Sequence, residues 1–182
     1  MTCPISFEFF PPIEPEQRAR LVGVAQSLAV LGPEYASVTF GAGGSTRQRT
    51  QETVVDLMGQ TELAVAPHIS CMADNRADIE NLLELYQNHQ VERLVVLRGD
   101  RPSGGGQGVF RHAVDLLRFV KTRFGDAFKI EVACYPEHHP ESPSPSSDLM
   151  YFKEKVEAGA DGAITQYFFN ADAYFRFVDD ST

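Results

Sequence analysis

Short apolar or β-branched runs recur along this chain about every 30 residues, the length of one strand-plus-helix unit. They are Ile5 to Phe10, Tyr35 to Phe40, Ala64 to Ser70, Arg93 to Leu97, Lys129 to Tyr135 and Asp161 to Tyr167. Helical patterns fill the gaps. Leu21, Val24, Leu28 and Leu31 share one face before the stop signal Gly32-Pro33. Ser45-Thr46-Arg47-Gln48 fits a capping box. Ile79, Leu82, Leu83 and Tyr86 group on a third helix, and Ala113, Leu116, Leu117 and Val120 on a fourth that stops near Gly125. A fifth is expected after Ser146-Ser147, stopping at Gly159, and a sixth with Asn170 as N-cap. Strict alternation of this kind implies an α/β fold with a parallel sheet.

Two architectures fit that rhythm: a doubly wound open sheet, or a (β/α)8 TIM-type barrel of which this chain supplies about six of eight units. A typical eight-unit barrel needs ~250 residues, and the chain has 182. Residues 1–182 therefore read as one barrel domain, incomplete at its C-terminal side. The Ser/Pro stretch from Ser142 to Ser147 reads as a loop, because the rhythm continues after it.

A net charge of −9 disfavours nucleic acid as a partner, since phosphate contacts are made by Lys and Arg. It leaves room for an anionic cofactor held at a local cationic spot. Cys3, Cys71 and Cys134 are odd in number and widely spaced, which argues against a disulfide framework or a zinc site. No signal peptide and no membrane span are expected, and a cytoplasmic location follows from that reading.

In parallel α/β folds, ligands bind beyond the carboxyl ends of the strands. Those ends carry Glu8, Val38-Thr39-Phe40-Gly41, Ala66-Pro67-His68, Leu97-Arg98-Gly99-Asp100, Tyr135-Pro136-Glu137 with His138 and His139, and Ile164-Thr165-Gln166. Strand alternation sets Glu8 opposite Phe7 and Phe9, inward in a barrel. There a poorly solvated carboxylic acid can donate a proton near neutral pH; the alternative is an ion pair with an Arg. Arg98 suits a phosphate or an electron-rich ring, and Asp100 a polar heterocycle; a local ion pair is the alternative. Gly41-Ala42-Gly43-Gly44-Ser45 is a tight turn lacking the third glycine of a dinucleotide fingerprint. His68, Glu137, His138 and His139 match no common zinc spacing, so no metal is expected. Lys155, taken alone, reads as a solvated helix lysine.

In order, Phe7-Glu8-Phe9-Phe10-Pro11-Pro12, Ser37 to Ala42, Ala66-Pro67-His68, Leu97 to Asp100, Tyr135-Pro136-Glu137 with His139-Pro140, and Ile164 to Phe169 resemble the catalytic domain of the methylenetetrahydrofolate reductase family. The resemblance spans essentially the whole chain. It implies an eight-stranded βα barrel with FAD at the carboxyl ends of the strands. It also implies a ping-pong hydride transfer from NADH or NADPH through FAD to 5,10-methylenetetrahydrofolate, giving 5-methyltetrahydrofolate. By the same resemblance Glu8 is the general acid that protonates the folate N10. Asp100 lies between flavin and pterin, and Gln166 binds the folate and the nicotinamide. Thr39, Phe40, His68, Arg98, Gly99, Asp100, His112, Ala113, Tyr135, His139, Asp148 and Lys155 match FAD contacts.

Tyr151 stands where bacterial members usually have Asn. Strands seven and eight of the family are not recognised, which would leave two open strand edges and favour self-association, a homo-oligomer. Three readings follow: a reductase, a FAD-holding barrel fragment without turnover, and a fragment that neither binds nor reacts.

Overall fold

The computed structural model describes residues 3–40, 44–71, 75–99 and 108–181, with only the backbone of residues 44–46. Asp100, the Gly41-Ala42-Gly43 turn and Gly104 to Gly106 lie outside the described residues, as do the side chains of Ser45 and Thr46. Six strands alternate with six helices: β1 (Ser6–Phe9), α1 (Pro15–Ala29), β2 (Tyr35–Val38), α2 (Gly44–Gln60), β3 (Val65–Ser70), α3 (Arg76–Asn88), β4 (Arg93–Leu97), α4 (Ala113–Phe124), β5 (Lys129–Cys134), α5 (Pro145–Glu157), β6 (Gly162–Thr165) and α6 (Ala171–Ser181).

The strands form one parallel sheet in the order β1-β2-β3-β4-β5-β6. A doubly wound sheet reverses its strand order at a switch point. Here each strand pairs with its successor, so the open-sheet alternative falls and the fold is a partial TIM-type barrel. Among the described residues β1 and β6 each pair on one side only.

Local chemistry explains the helix bounds. Asn75 accepts from Asp78 N (2.9 Å) to cap α3. Gly125, at φ 56°, ends α4 in a conformation that costs glycine little. Helix α5 begins earlier than its Ser146-Ser147 signal: Ser144 is the cap, accepting from Ser147 N (3.1 Å), and Pro145 takes the first turn, where its missing N–H is harmless. Asn170 Oδ1 accepts from Asp172 N and Ala173 N and starts α6 as expected. The buried face of α3 is the one the periodicity predicts; α4 buries Leu116, Leu117 and Val120 as expected, with Val114 buried and Ala113 half-buried. The α1 face differs: Val22 and Ala25 are buried, while Val24 and Leu31 are exposed. Leu21 and Leu28 of the expected face do pack against the core, beside Ala25 and Ala29, whereas Leu31 lies beyond the helix end.

The two faces of the sheet bury different residues. Outward-facing Phe9, Ala36, Val38, Val65, Ile69, Leu94, Val96, Ile130 and Val132 pack under the helices. Inward-facing Tyr35, Ala66 and Val95 form a second cluster with Leu97 and Ile164. The stagger of an eight-stranded barrel is about one residue per strand. That rise puts Tyr35, Arg93 and Gly162 in one layer near the amino ends of the strands, and Glu8, His68 and Ala133 in one layer near the carboxyl ends. Contacts bear this out. Arg93 stacks over the Tyr35 ring at 4.6 Å, binds Glu34 at 2.7 Å and pairs with buried Glu131. Glu131 fills the space left by Gly162, where an added Cβ would stand 2.2 Å from Oε2. This ionic plug closes the amino end of the lumen and leaves the carboxyl end for chemistry. No described helix is long and apolar enough to cross a membrane.

Candidate active site

Glu8 projects from β1 into the lumen, and His68 meets it from β3, with Nε2 3.5 Å from Oε2. Glu8 is exposed, its side chain 49% accessible, so the poor solvation expected of it is not found. The reason is geometric: β1 is an edge of the described sheet, and its lumen side is open. His68 is different. It is 8% exposed, and burial pushes its imidazole down to about 4, so the ring is neutral at pH 7. Among the described residues its Nε2 is buried with no hydrogen-bond partner.

A second group lines the β4–β5 side. Arg98 pairs with Glu141 at 2.8 Å across the loop that follows β5. His139 N donates to Asp148 Oδ2 (2.9 Å), and its Nδ1 accepts from Glu141 N (3.0 Å). An Nδ1 used as acceptor leaves the ring proton on Nε2, so neutral His139 presents a donor. The Tyr135 ring meets His139 edge-on at 4.5 Å. Lys155 turns inward from α5 and donates to Ala133 O, and burial lowers its pKa. It is not the solvated helix lysine that its sequence context alone suggests.

The remaining site residues are spread more widely. Thr39 N donates to Phe9 O (2.9 Å), and Thr39 O accepts from Thr50 Oγ1 (2.9 Å), so its backbone is held on both sides; Phe40 follows it, half-buried. Gly99, at φ 78°, turns the chain out of β4. His112 N donates to Asp115 Oδ2 (3.0 Å) at the start of α4, beside Ala113, and its ring stacks with Tyr151 at 6.3 Å. That contact gives Tyr151 a place at this rim. Gln166 is exposed at the end of β6 and anchored by its own N–H to Cys134 O (2.7 Å).

Sequence reasoning missed Glu141, the partner of Arg98. Its signal was only its place after His139-Pro140, and an opposite charge 43 positions away carries no periodicity. Glu137, considered with the histidines for a metal, instead accepts from Phe169 N (3.1 Å) and Asn170 N (2.8 Å). Among the described residues no group of three or more His, Cys, Asp or Glu is placed to hold a metal ion. Cys71 and Cys134 are buried free thiols and Cys3 is exposed.

Compared with models of known families, the chain matches methylenetetrahydrofolate reductase over residues 2–182. The chain belongs to the methylenetetrahydrofolate reductase family. It is 41% identical over 175 residues to the 5,10-methylenetetrahydrofolate reductase of Salmonella typhimurium, covering 96% of this chain and 58% of that protein. The Escherichia coli protein of the same name is 40% identical with the same coverage. An Arabidopsis thaliana relative, methylenetetrahydrofolate reductase (NADH) 1, is 35% identical over 189 residues, 96% of this chain and 32% of that protein. The chain thus spans little more than half the length of its bacterial relatives in the reductase family. Among solved structures it resembles oxaloacetate acetylhydrolase, with a TM-score of 0.66 at 12% identity over 97% of this chain and 63% of that one. At that identity the likeness shows the barrel architecture alone.

Proposed function

We propose that this chain is the N-terminal part of a catalytic barrel domain that reduces 5,10-methylenetetrahydrofolate to 5-methyltetrahydrofolate, with FAD as hydride carrier and NADH or NADPH as donor. The observation that carries this reading is the family match over residues 2–182, joined to a carboxylate, Glu8, at the carboxyl end of the lumen beside a buried imidazole. The residues present fit FAD. His68 offers a buried neutral ring and His139 an Nε2–H donor, while Arg98 and Lys155 supply positive charge to an otherwise acidic chain. Thr39, Phe40, Gly99, His112, Ala113, Tyr135 and Asp148 complete the proposed set. The chemistry that bound FAD supplies is hydride acceptance from the nicotinamide and hydride delivery to the folate methylene carbon.

Glu8 supplies the proton. Breaking the bond between the methylene carbon and N10 leaves an electron pair on N10, and a proton from the Glu8 carboxyl takes it up. In this reading Gln166 would hydrogen-bond the folate and, in its turn, the nicotinamide, and Asp100, which lies outside the described residues, would serve the pterin and the flavin. A Glu8→Gln variant should therefore keep flavin reduction by NADH while folate reduction falls by about a hundredfold or more. Stopped-flow absorbance of the two half-reactions reads this directly. Equal loss of both halves would remove Glu8 from the acid role.

A second reading has specific support. Strands β1 and β6 are paired on one side among the described residues, and the chain spans 58% of its bacterial relatives. A barrel portion that holds FAD without turnover, or joins a second copy through these edges, fits the same facts. Flavin that binds yet stays oxidised under anaerobic NADH favours this reading over the first.

A further inference from the structure

We propose that His68 is the positioning residue for the Glu8 carboxyl, donating from Nε2 to Oε2 so that Oε1 alone carries and delivers the proton. This rests on the reading of Glu8 as acid and goes beyond the expectation that His68 merely touches FAD. Three observations carry it. Nε2 and Oε2 stand 3.5 Å apart, one small side-chain rotation short of a hydrogen bond. Among the described residues the same Nε2 is buried with no hydrogen-bond partner. Between the two residues runs β2, whose inward residue opposite Glu8, Ser37, is small and turns its hydroxyl back toward Phe7 O (3.5 Å).

A carboxylic acid has two oxygens, and either can hold the proton. A neutral imidazole donor fixes the choice. Oε2 accepts from Nε2–H whether the acid is protonated or ionised, because both a carbonyl oxygen and a carboxylate oxygen accept. The proton is thereby confined to Oε1, which leaves it on N10 as the N10–carbon bond breaks. Solvent at the half-exposed Glu8 then restores it. Burial serves the device by keeping the ring uncharged, since an imidazolium beside Glu8 would hold it ionised at neutral pH. Among the described residues at this end of the lumen, Arg98 is engaged with Glu141 and Lys155 with Ala133 O.

The test uses the chain labelled with 15N-histidine and long-range 1H–15N NMR at pH 7, with the His68 ring assigned by its loss in His68→Gln. The expected ring is neutral with the proton on Nε2, and its Nε2 resonance moves in Glu8→Ala. A proton on Nδ1, or a His68 ring indifferent to Glu8→Ala, overturns the proposal, and neither readout needs flavin or turnover. In flavin-loaded protein, His68→Leu should slow folate reduction at least about tenfold more than it slows reduction by NADH, with His68→Gln restoring much of that difference. In a Glu8→Gln background His68→Leu should add nothing. Full additivity there, or equal loss in both half-reactions, contradicts positioning through Glu8. Wild-type protein that is reduced by NADH but not reoxidised by the folate sinks the proposed function instead, and the NMR result then decides the positioning role by itself.

Discussion

A histidine held neutral by burial makes stability depend on pH in a window that can be stated. His68 has a folded pKa of about 4 against 6.5 for a free imidazole. Between those values the unfolded chain takes up a proton that the folded chain refuses. Stability contributed by this residue is therefore intact above about pH 6.5 and falls as pH drops toward 4, by on the order of 3 kcal/mol in all. Urea unfolding at pH 7 and pH 5 should show the slope, and His68→Leu should flatten it; an unchanged slope in the variant would contradict the burial. At the other end of the lumen, Gly162→Ala forces a Cβ onto buried Glu131 and its Arg93 partner. Overpacking and disturbance of a buried pair together should cost about 2 kcal/mol or more in urea unfolding. Neither feature could be read from the chain in advance. Alternation placed Glu8 inward, and the poor solvation expected from that placement is not found, because solvation depends on what lies beside β1. Its meeting with His68 depends on barrel stagger across β2, which no local pattern encodes.

Elements were more legible than contacts, because they rest on local chemistry. The apolar spacing of α3 predicted the buried face found, that of α4 predicted most of it, and Asn170 capped α6 as its type suggests. The misses were also local. Helix α5 starts at Pro145 because proline favours the first turn, and Leu31 falls outside α1 although it continues the spacing. Helix α5 matters most for the site, since it carries Asp148 and Lys155. Its Ser144 cap accepts from Ser147 N and shares a hydrogen bond with Ser147 Oγ (2.8 Å). Ser144→Ala should cost about 1 kcal/mol in thermal or urea unfolding. By loosening the first turn it should also weaken FAD binding through Asp148, which holds His139 N. Unchanged flavin affinity in a destabilised variant would detach that loop from the cofactor.

At the scale of the molecule, the 30-residue rhythm predicted six βα units, and the sheet order decided between open sheet and barrel. The rhythm alone could not decide, since both architectures use the same unit. The ionic plug of Arg93, Glu131 and Glu34 occupies the amino end of the lumen, and Glu8, His68, Arg98, Tyr135, His139 and Lys155 lie toward the carboxyl end. Net charge, cysteine count and hydropathy excluded classes without naming a family; ordered motifs at strand ends pointed to the family, and the family match agrees with them. The central claim is that this assembly carries hydride from a nicotinamide to a folate. Purified chain reconstituted with FAD, made anaerobic and followed in the visible absorbance, tests it most directly. The account predicts that NADH or NADPH bleaches the flavin and that 5,10-methylenetetrahydrofolate restores its colour. Bound flavin that neither nucleotide bleaches, or reduced flavin that the folate fails to reoxidise, would contradict it.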